Sequence, residues 1–539
     1  MADTFMKVVL YNRARLLIIG FIGLIFSACT TFSQKPNTYD TVIVKGKVMD
    51  GTGNPWYYAD IAINNGEIVK VGHINKSAND TIDAKGLYVT PGFIDVHTHA
   101  ASGLTDPDLS SAEPQLRQGV TTVFVNPDGG GAVDMEKQRE ALMEDGIGVN
   151  VAQLTAHGSI REKVMGMEDR APTPEEMDKM RQLVRDGMAN GSFGLSSGPF
   201  YSPGSYASTD ELVELAKVAS EFGGAYTSHI RDESNYTIGL EASVDEVIQV
   251  AEGANLPGVV THIKALGPPV WEMSETIVEN IEKARSKGIE VYADQYPYKA
   301  SATGLISALV PRWAEEGGYD SLRVRLEDQE QLVRIRSAME ENLKRRGGPD
   351  RIQFRYYNPD SSIEGKTLKD VADNRDQDAL NTAIDLIKEA GPGIVSFNMT
   401  EKDVHRFMRQ TWTMTSSDGG LVHMGEGVPH PRNYGTFPRK IRKYVLEDKI
   451  IELTHAVRSM TTLPAQVFDL RDRGQIRKGA KADIAIFDPQ KLKDNATFQK
   501  PHQLSEGMEY VLVNGNIALD GDNLSSEQSG RVLYHSDRE

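Results

Sequence analysis

Between residues 170 and 300 the chain alternates amphipathic helices with short apolar strands, and this alternation constrains the fold more than any other feature. "TPEEMDKMRQLVRDGMANG" opens with Thr173 and Glu176 at capping-box spacing, sets Met177, Met180, Val184 and Met188 on one helical face, and closes at Gly191. "STDELVELAKVASEFGG" repeats the design from Ser208 to Gly223. The strands "AYTSH", "GVVTHIKA" and "IEVYADQYPY" follow at roughly 30-residue spacing, and that pitch means βα units and a parallel sheet. The expected fold class is α/β: a (β/α)8, TIM-like barrel over residues 92–461, with charged helices inserted around 306–395 that present a solvated face.

The chain ends have a different texture. "TVIVKGKVMD" and "ADIAINNGEIVKVG" near the start, and "ADIAIFDP" and "EYVLVNGNIALDG" near the end, alternate apolar and polar residues between Gly and Asn turns. Either set alone buries too little to stand by itself, so one small β-sandwich is expected from both, over 41–91 and 462–520, followed by a C-terminal tail at 521–539. Ahead of it, Lys7, Arg13 and Arg15 precede an apolar run from Leu16 to Ala28, too short to cross a ~30 Å bilayer comfortably as a helix. Small residues then lead into Cys29, the only cysteine. The pattern resembles a bacterial lipoprotein signal: a signal peptide at 1–28, lipidation of Cys29, a polar tether at 29–40, and an exported, membrane-anchored protein facing the periplasm. A plain secretory signal or an uncleaved anchor, with an incidental cysteine, is the alternative. A single cysteine excludes internal disulfides, and a net charge of −17 opposes binding to nucleic acid. Oligomeric state is not legible.

Chemistry-bearing residues cluster at strand ends. In "PGFIDVHTHA" the apolar strand runs into His97 and His99, which alternation places on one side, so both imidazoles can reach one ion. His229 closes "GAYTSH", His262 closes "GVVTH", Asp128 follows "TTVFVNP" and Asp418 follows "TWTMTSS". The C-terminal strand ends of a (β/α)8 barrel converge on one mouth, so four histidines and two carboxylates there would form a nitrogen and oxygen site for a divalent ion, zinc first, as one or two ions. Two local alternatives stand. Asp128 before three glycines could be a turn residue, and Asp418 before Gly419 a helix N-cap.

These motifs resemble the amidohydrolase superfamily. Within it, "GLSSGPFYSPGSYASTDELVELAKVASEFGGAYTSHIRDES", "DQYPYKASATGL" and "HPRNYGTFPR" look like the N-acyl-D-amino-acid deacylase (D-aminoacylase) family, with the likeness running from about residue 40 to 520. The resemblance implies hydrolysis of the amide bond of an N-acyl-D-amino acid or related D-residue-containing amide by metal-activated water. It implies metal ligation by His97, His99, His229 and His262, and proton handling by Asp418. Asp128 stands where the family carries a cysteine ligand. Lys264, Tyr296 or Tyr298, and Arg432 match the family's substrate-carboxylate residues, with His157 and Arg231 as supports behind the ligands. The expected partner is a small acyl amino acid or dipeptide. A dipeptidase or cyclic amidase of the same superfamily is the nearer alternative, and a non-catalytic ligand-binding lipoprotein the more distant one.

Overall fold

The computed structural model describes residues 38–535. The signal segment, Cys29 and nearly all of the tether lie outside the described residues. No helix among the described residues is long and apolar enough to cross a membrane.

Both chain ends enter one sheet. Strands β1 (Tyr39–Val48), β2 (Tyr57–Asn64), β3 (Glu67–Gly72), β4 (Ala78–Asp83) and β5 (Tyr88–Pro91) come first. The chain then crosses at Gly92, where an added Cβ would fall 2.2 Å from Thr121 Oγ1, into β6 (Phe93–Asp95) and its continuation β7 (Thr98–His99). There follow β8 (Val120–Val125), β9 (Asn150–Gln153) with β10 (Thr155–Ala156), β11 (Gly194–Ser197), β12 (Ala225–Ser228), β13 (Gly258–Val260) and β14 (Val291–Gln295). An inserted unit carries β15 (Ser301–Gly304), β16 (Ile352–Tyr356) and β17 (Gly393–Ser396), after which come β18 (Thr413–Thr415) and β19 (Gly419–Gly420). Finally β20 (Ile484–Phe487), β21 (Met508–Val513), β22 (Asn516–Asp520) and β23 (Asn523–Leu524) return to the first sheet, β20 pairing antiparallel with β5.

The middle strands pair in parallel, in the order β6-β8-β9 and then β10-β11-β12-β13-β14-β18, and β19 pairs back onto β7. Counting β6/β7, β9/β10 and β18/β19 as single strands, the ladder has eight strand positions, and its last meets its first. Alternation divides each strand between two faces. Tyr226 and Val260 pack under the helices, whereas their neighbours Ala225 and Val259 join Ile94, Phe124, Ala152 and Met414 on the other face. The helices that cover the ladder start as their sequences require. Thr173 and Glu176 cap each other's backbone ahead of Pro174–Ala189, and Ser208 accepts from the Glu211 amide ahead of Thr209–Glu221.

Leu463, Ala465, Val467 and Phe468, expected with the terminal sheet, pack instead with Ile94, Val96 and Phe124, so the C-terminal share of that sheet begins at β20. The described part of the C-terminal tail is pinned down: Val151 donates to Arg531, Leu533 donates to Val151, and Val532 is buried. The insertion also departs from a purely solvated face. Its helices Gly318–Glu327 and Gln329–Arg345 bury Leu322, Leu326, Ile335, Met339 and Leu343 in a core of their own, against β16 and β17. Apolar residues at helical spacing inside a charged run supply that face.

Candidate metal centre

The residues singled out at strand ends meet at one end of the parallel ladder. His97 Nε2 lies 3.3 Å from Asp128 Oδ2 and 3.6 Å from Asp418 Oδ1, and His99 Nε2 lies 3.4 and 3.1 Å from the same two oxygens. On the other side of Asp128, its Oδ1 is 3.7 Å from His229 Nδ1 and 3.6 Å from His262 Nε2. Two donor groups result, His97/His99/Asp128/Asp418 and Asp128/His229/His262, each with its ligand atoms within 4.8 Å of one another. Asp128 belongs to both and offers a different oxygen to each.

The local backbone explains how these side chains arrive there. Asp128 and Asp418 have φ of 57° and 49°, and His262 has φ 37°, all in the left-handed region. Aspartate tolerates that region; a histidine there is held by its surroundings. The surroundings are visible: the His262 amide donates to Asp294 at 2.9 Å, the Asp418 amide to the His97 carbonyl at 2.9 Å, and the Ser417 amide to Asp95 at 2.9 Å. Burial pushes the Asp95 carboxyl up to about 7 against these hydrogen bonds. Gly129 packs so closely that an added Cβ would lie 2.8 Å from the Gly198 amide nitrogen, which fixes the turn carrying Asp128. Asp128 is thus a turn residue and a donor at once. Asp418 caps no helix among the described residues, being followed by β19.

The donor chemistry fits a divalent cation. Both ring nitrogens of His97 and of His229, and Asp128 Oδ1, are buried without a hydrogen-bond partner, which is costly unless a further positive group sits among them. Burial opposes charge on Asp128 and on Asp418. The neighbouring imidazoles nonetheless hold the first well below the usual carboxylate range, and Arg432 with His99 holds the second below it. Partial desolvation opposes charge on the half-exposed His99, yet contacts with Asp128 and Asp418 leave it pushed up to about 9. Burial pushes His229 down, the state suited to a neutral nitrogen ligand.

The remaining singled-out residues divide. Lys264 ion-pairs with Glu233 and lies 2.8 Å from His262 Nδ1, while Glu233 approaches His262 Nδ1 at 3.2 Å and so orients a ligand ring. Arg432, first residue of the helix Arg432–Arg439, sets Nη1 2.6 Å from Asp418 Oδ2 and stacks over Tyr296 at 4.8 Å. The Tyr296 hydroxyl is buried without a hydrogen-bond partner, beside these cations. Tyr298 is the exception among the expected substrate residues. It donates to the Pro431 carbonyl at 3.4 Å and packs on Phe498 and under Arg439, away from the cavity that Tyr296 lines. Strand alternation leaves Tyr296 and Tyr298 equivalent, so only packing separates them. His157 contacts Glu211 at 2.9 Å, which also binds Arg161, and Arg231 is held by Glu246 and by the carbonyls of Ser205 and Ala207. His157 thus ties the helix His157–Met165 to the helix Thr209–Glu221, Arg231 braces the segment Ser205–Ala207, and neither contacts the donor residues.

Five polar cavity residues escaped the sequence reading: Tyr201, Glu233, Ser301, Thr303 and Arg346. Glu233 stood in the quoted "HIRDES", where its spacing from His229 was a usable signal. Arg346 stood in the charged run assigned to solvent.

Beside this site, Lys440 is buried against β18, donating to Thr415 Oγ1 at 2.7 Å and Ser459 Oγ at 2.9 Å without an acid partner. Burial pushes its ammonium down to about 7. In the unfolded chain the group keeps its proton to about pH 10.4, so between about pH 7 and 10 the unfolded state binds more protons. Stability from this group therefore rises with pH, by up to ~1.4 kcal/mol per unit. Denaturation midpoints measured across that range should climb in the wild type and lose this component in Lys440→Met. Equal slopes in the two proteins would show that Lys440 does not titrate there.

The chain that carries this centre has counterparts among known proteins. A D-aminoacylase of Alcaligenes xylosoxydans xylosoxydans is 31% identical over 520 residues, covering 92% of this chain and 97% of that protein. The crystal structure of N-acyl-D-glutamate deacylase from Bordetella bronchiseptica, complexed with zinc and a phosphonate mimic of the reaction's tetrahedral intermediate, superposes with a TM-score of 0.79. It is 32% identical, over 92% of this chain and 100% of that one. A solved D-aminoacylase, described as having a binuclear metal centre with one-metal activation and second-metal attenuation, has a TM-score of 0.78 and 29% identity. It too covers 92% of this chain and 100% of its own. The family model described as "Amidohydrolase family" matches residues 80–519, from β4 of the first sheet through the ladder and back to β22, so the chain belongs to the amidohydrolase family.

Proposed function

We propose that this protein is a metal-dependent hydrolase of the amide bond of N-acyl-D-amino acids, built as a (β/α)8 barrel with a β-sandwich made from both chain ends. The observation that carries the reading is the two-sided donor set around Asp128, with Asp418 held ionised at its edge. The return of the parallel ladder onto its first strand position supports the barrel, and the shared nine-stranded sheet supports the sandwich.

Zinc is the ion proposed first, because imidazole and carboxylate donors suit it. One ion would take His229, His262 and Asp128, and a second would take His97, His99 and Asp128. A divalent ion bound there supplies an activated water and a polarised amide carbonyl. Asp418 Oδ1 faces His97 and His99, while Oδ2 is occupied by Arg432. Oδ1 is therefore the oxygen that accepts the water's proton and passes it to the leaving amide nitrogen, yielding a carboxylate and a free D-amino acid. Tyr296, Lys264 and Arg432 lie together where an α-carboxylate can be received.

Incubating the metal-loaded protein with N-acyl-D- and N-acyl-L-amino acids and D-containing dipeptides tests the reading. Amine release from the D-acyl compounds, abolished by a chelator and restored by zinc, is expected. No metal-dependent release from any of them would sink it. Further, the Leu16–Ala28 run and Cys29 support a lipid anchor facing the periplasm. Mass spectrometry of the mature N-terminus tests that point, an intact Met1 with unmodified Cys29 being the result against it.

A further inference from the structure

Four arginines are buried among the described residues: Arg161, Arg346, Arg432 and Arg473. Three of them have carboxylate partners, Glu211, Asp418 and Asp483 respectively. Arg346 has none. It donates to the Ala308 carbonyl at 3.3 Å and to Ser396 Oγ at 3.1 Å, and it lines the same inner cavity as Lys264, Tyr296 and Asp418. Arg355, on β16 of the same inserted unit, also lacks an ion-pair partner, and its Nε is buried without a hydrogen bond. Burial, with the Arg432 charge beside it, pushes the Arg355 guanidinium down from its usual value. A buried guanidinium without a counter-charge is costly to keep, so Arg346 in the cavity wall, with the partly buried Arg355 within electrostatic reach of Arg432 and Asp418, calls for an anion.

The site's own acids do not meet that need. Glu233 is engaged by Lys264, Asp418 by Arg432, and Asp128 by the histidines. Two positive charges are left over, and any bound metal adds to the excess. The α-carboxylate of an acyl amino acid supplies one negative charge.

We propose that the second is a side-chain carboxylate, so that the substrates are N-acyl derivatives of acidic D-amino acids, aspartate or glutamate, with Arg346 as the residue that selects them and Arg355 in support. The inference rests on the deacylase reading and narrows it. A planar guanidinium fork matches a carboxylate in shape as well as charge. Selection is carried by the insertion, whereas the metal donors and Asp418 come from the parallel ladder. Substrate choice can thereby vary without disturbing the reacting centre.

The test uses the metal-loaded full chain. kcat/KM is measured for N-acetyl-D-glutamate and N-acetyl-D-aspartate, for their neutral isosteres N-acetyl-D-glutamine and N-acetyl-D-asparagine, and for N-acetyl-D-leucine. The better acid is expected to exceed its amide isostere by ~100-fold, because the amide leaves a guanidinium unmatched. Arg346→Gln should remove most of that ratio by slowing the acid while changing the amide less than about threefold, with metal content unchanged. Equal turnover of acid and amide, or leucine as the best substrate, would overturn the acidic-side-chain proposal and leave the deacylase reading intact. No release from any of the five would overturn both. The wild-type ratio needs no variant, so it decides the matter even if Arg346→Gln does not fold.

Discussion

Asp418→Asn is expected to lower kcat by ~10³-fold or more while the protein keeps its metal, since positioned proton transfer contributes 10²–10⁴-fold in such reactions. Asparagine matches aspartate in shape and accepts the left-handed φ of 49° found at this position, so the loop should persist. What it cannot do is take a proton at the position of Oδ1, the oxygen 3.1 Å from His99 Nε2. The loss should fall on kcat rather than KM, because Arg432 remains in place beside Tyr296. Elemental analysis beside steady-state kinetics checks both halves. A variant as active as the parent would remove the proton-transfer role from Asp418.

Asp128→Asn is expected to strip at least one ion per chain and to lower turnover by ~10²-fold or more. The choice of asparagine separates two roles. It keeps the turn at φ 57°, which glycine contacts around Gly129 enforce, but removes the charge shared by the two donor groups. Unchanged metal content and turnover would leave Asp128 with the turn alone. The oxygens of Asp128 diverge, Oδ2 towards His97 and His99 and Oδ1 towards His229 and His262. Losing one side chain therefore disturbs both halves of the centre. The resemblance implies a cysteine ligand at that place; a carboxylate is a harder donor than a thiolate, and Asp128 would favour harder ions than a thiolate-bearing site selects.

Much of this was written locally. The caps at Thr173 and Ser208, the alternation that splits Ala225 from Tyr226, and the histidine or aspartate at the ends of five of the eight strand positions are consequences of neighbours in sequence. Because parallel strands joined by helices all end at the same side, a residue's place at a strand end already says where it goes. Less was legible wherever contacts join distant segments. Alternation would put Tyr296 and Tyr298 on one strand face, yet both lie past the end of β14, and Pro431, Arg439 and Phe498 hold the second away from the cavity. The segment at 462–470, read with the terminal sheet, fills the side of the ladder that Ile94 and Phe124 present.

The sequence by itself determined the βα alternation, the sheet shared by the chain ends and the donor types of the metal centre, because period and capping act within a few residues. Tertiary structure alone decided that Asp128 stands between two donor groups and that Glu233 orients His262. It alone decided that the charged insertion delivers Arg346 to the site with no acid to meet it, and leaves Arg355 Nε buried without a partner. Those facts depend on which charges are left unpaired after distant segments pack, and a charge run in sequence reads the same whether its arginines face water or a buried cavity.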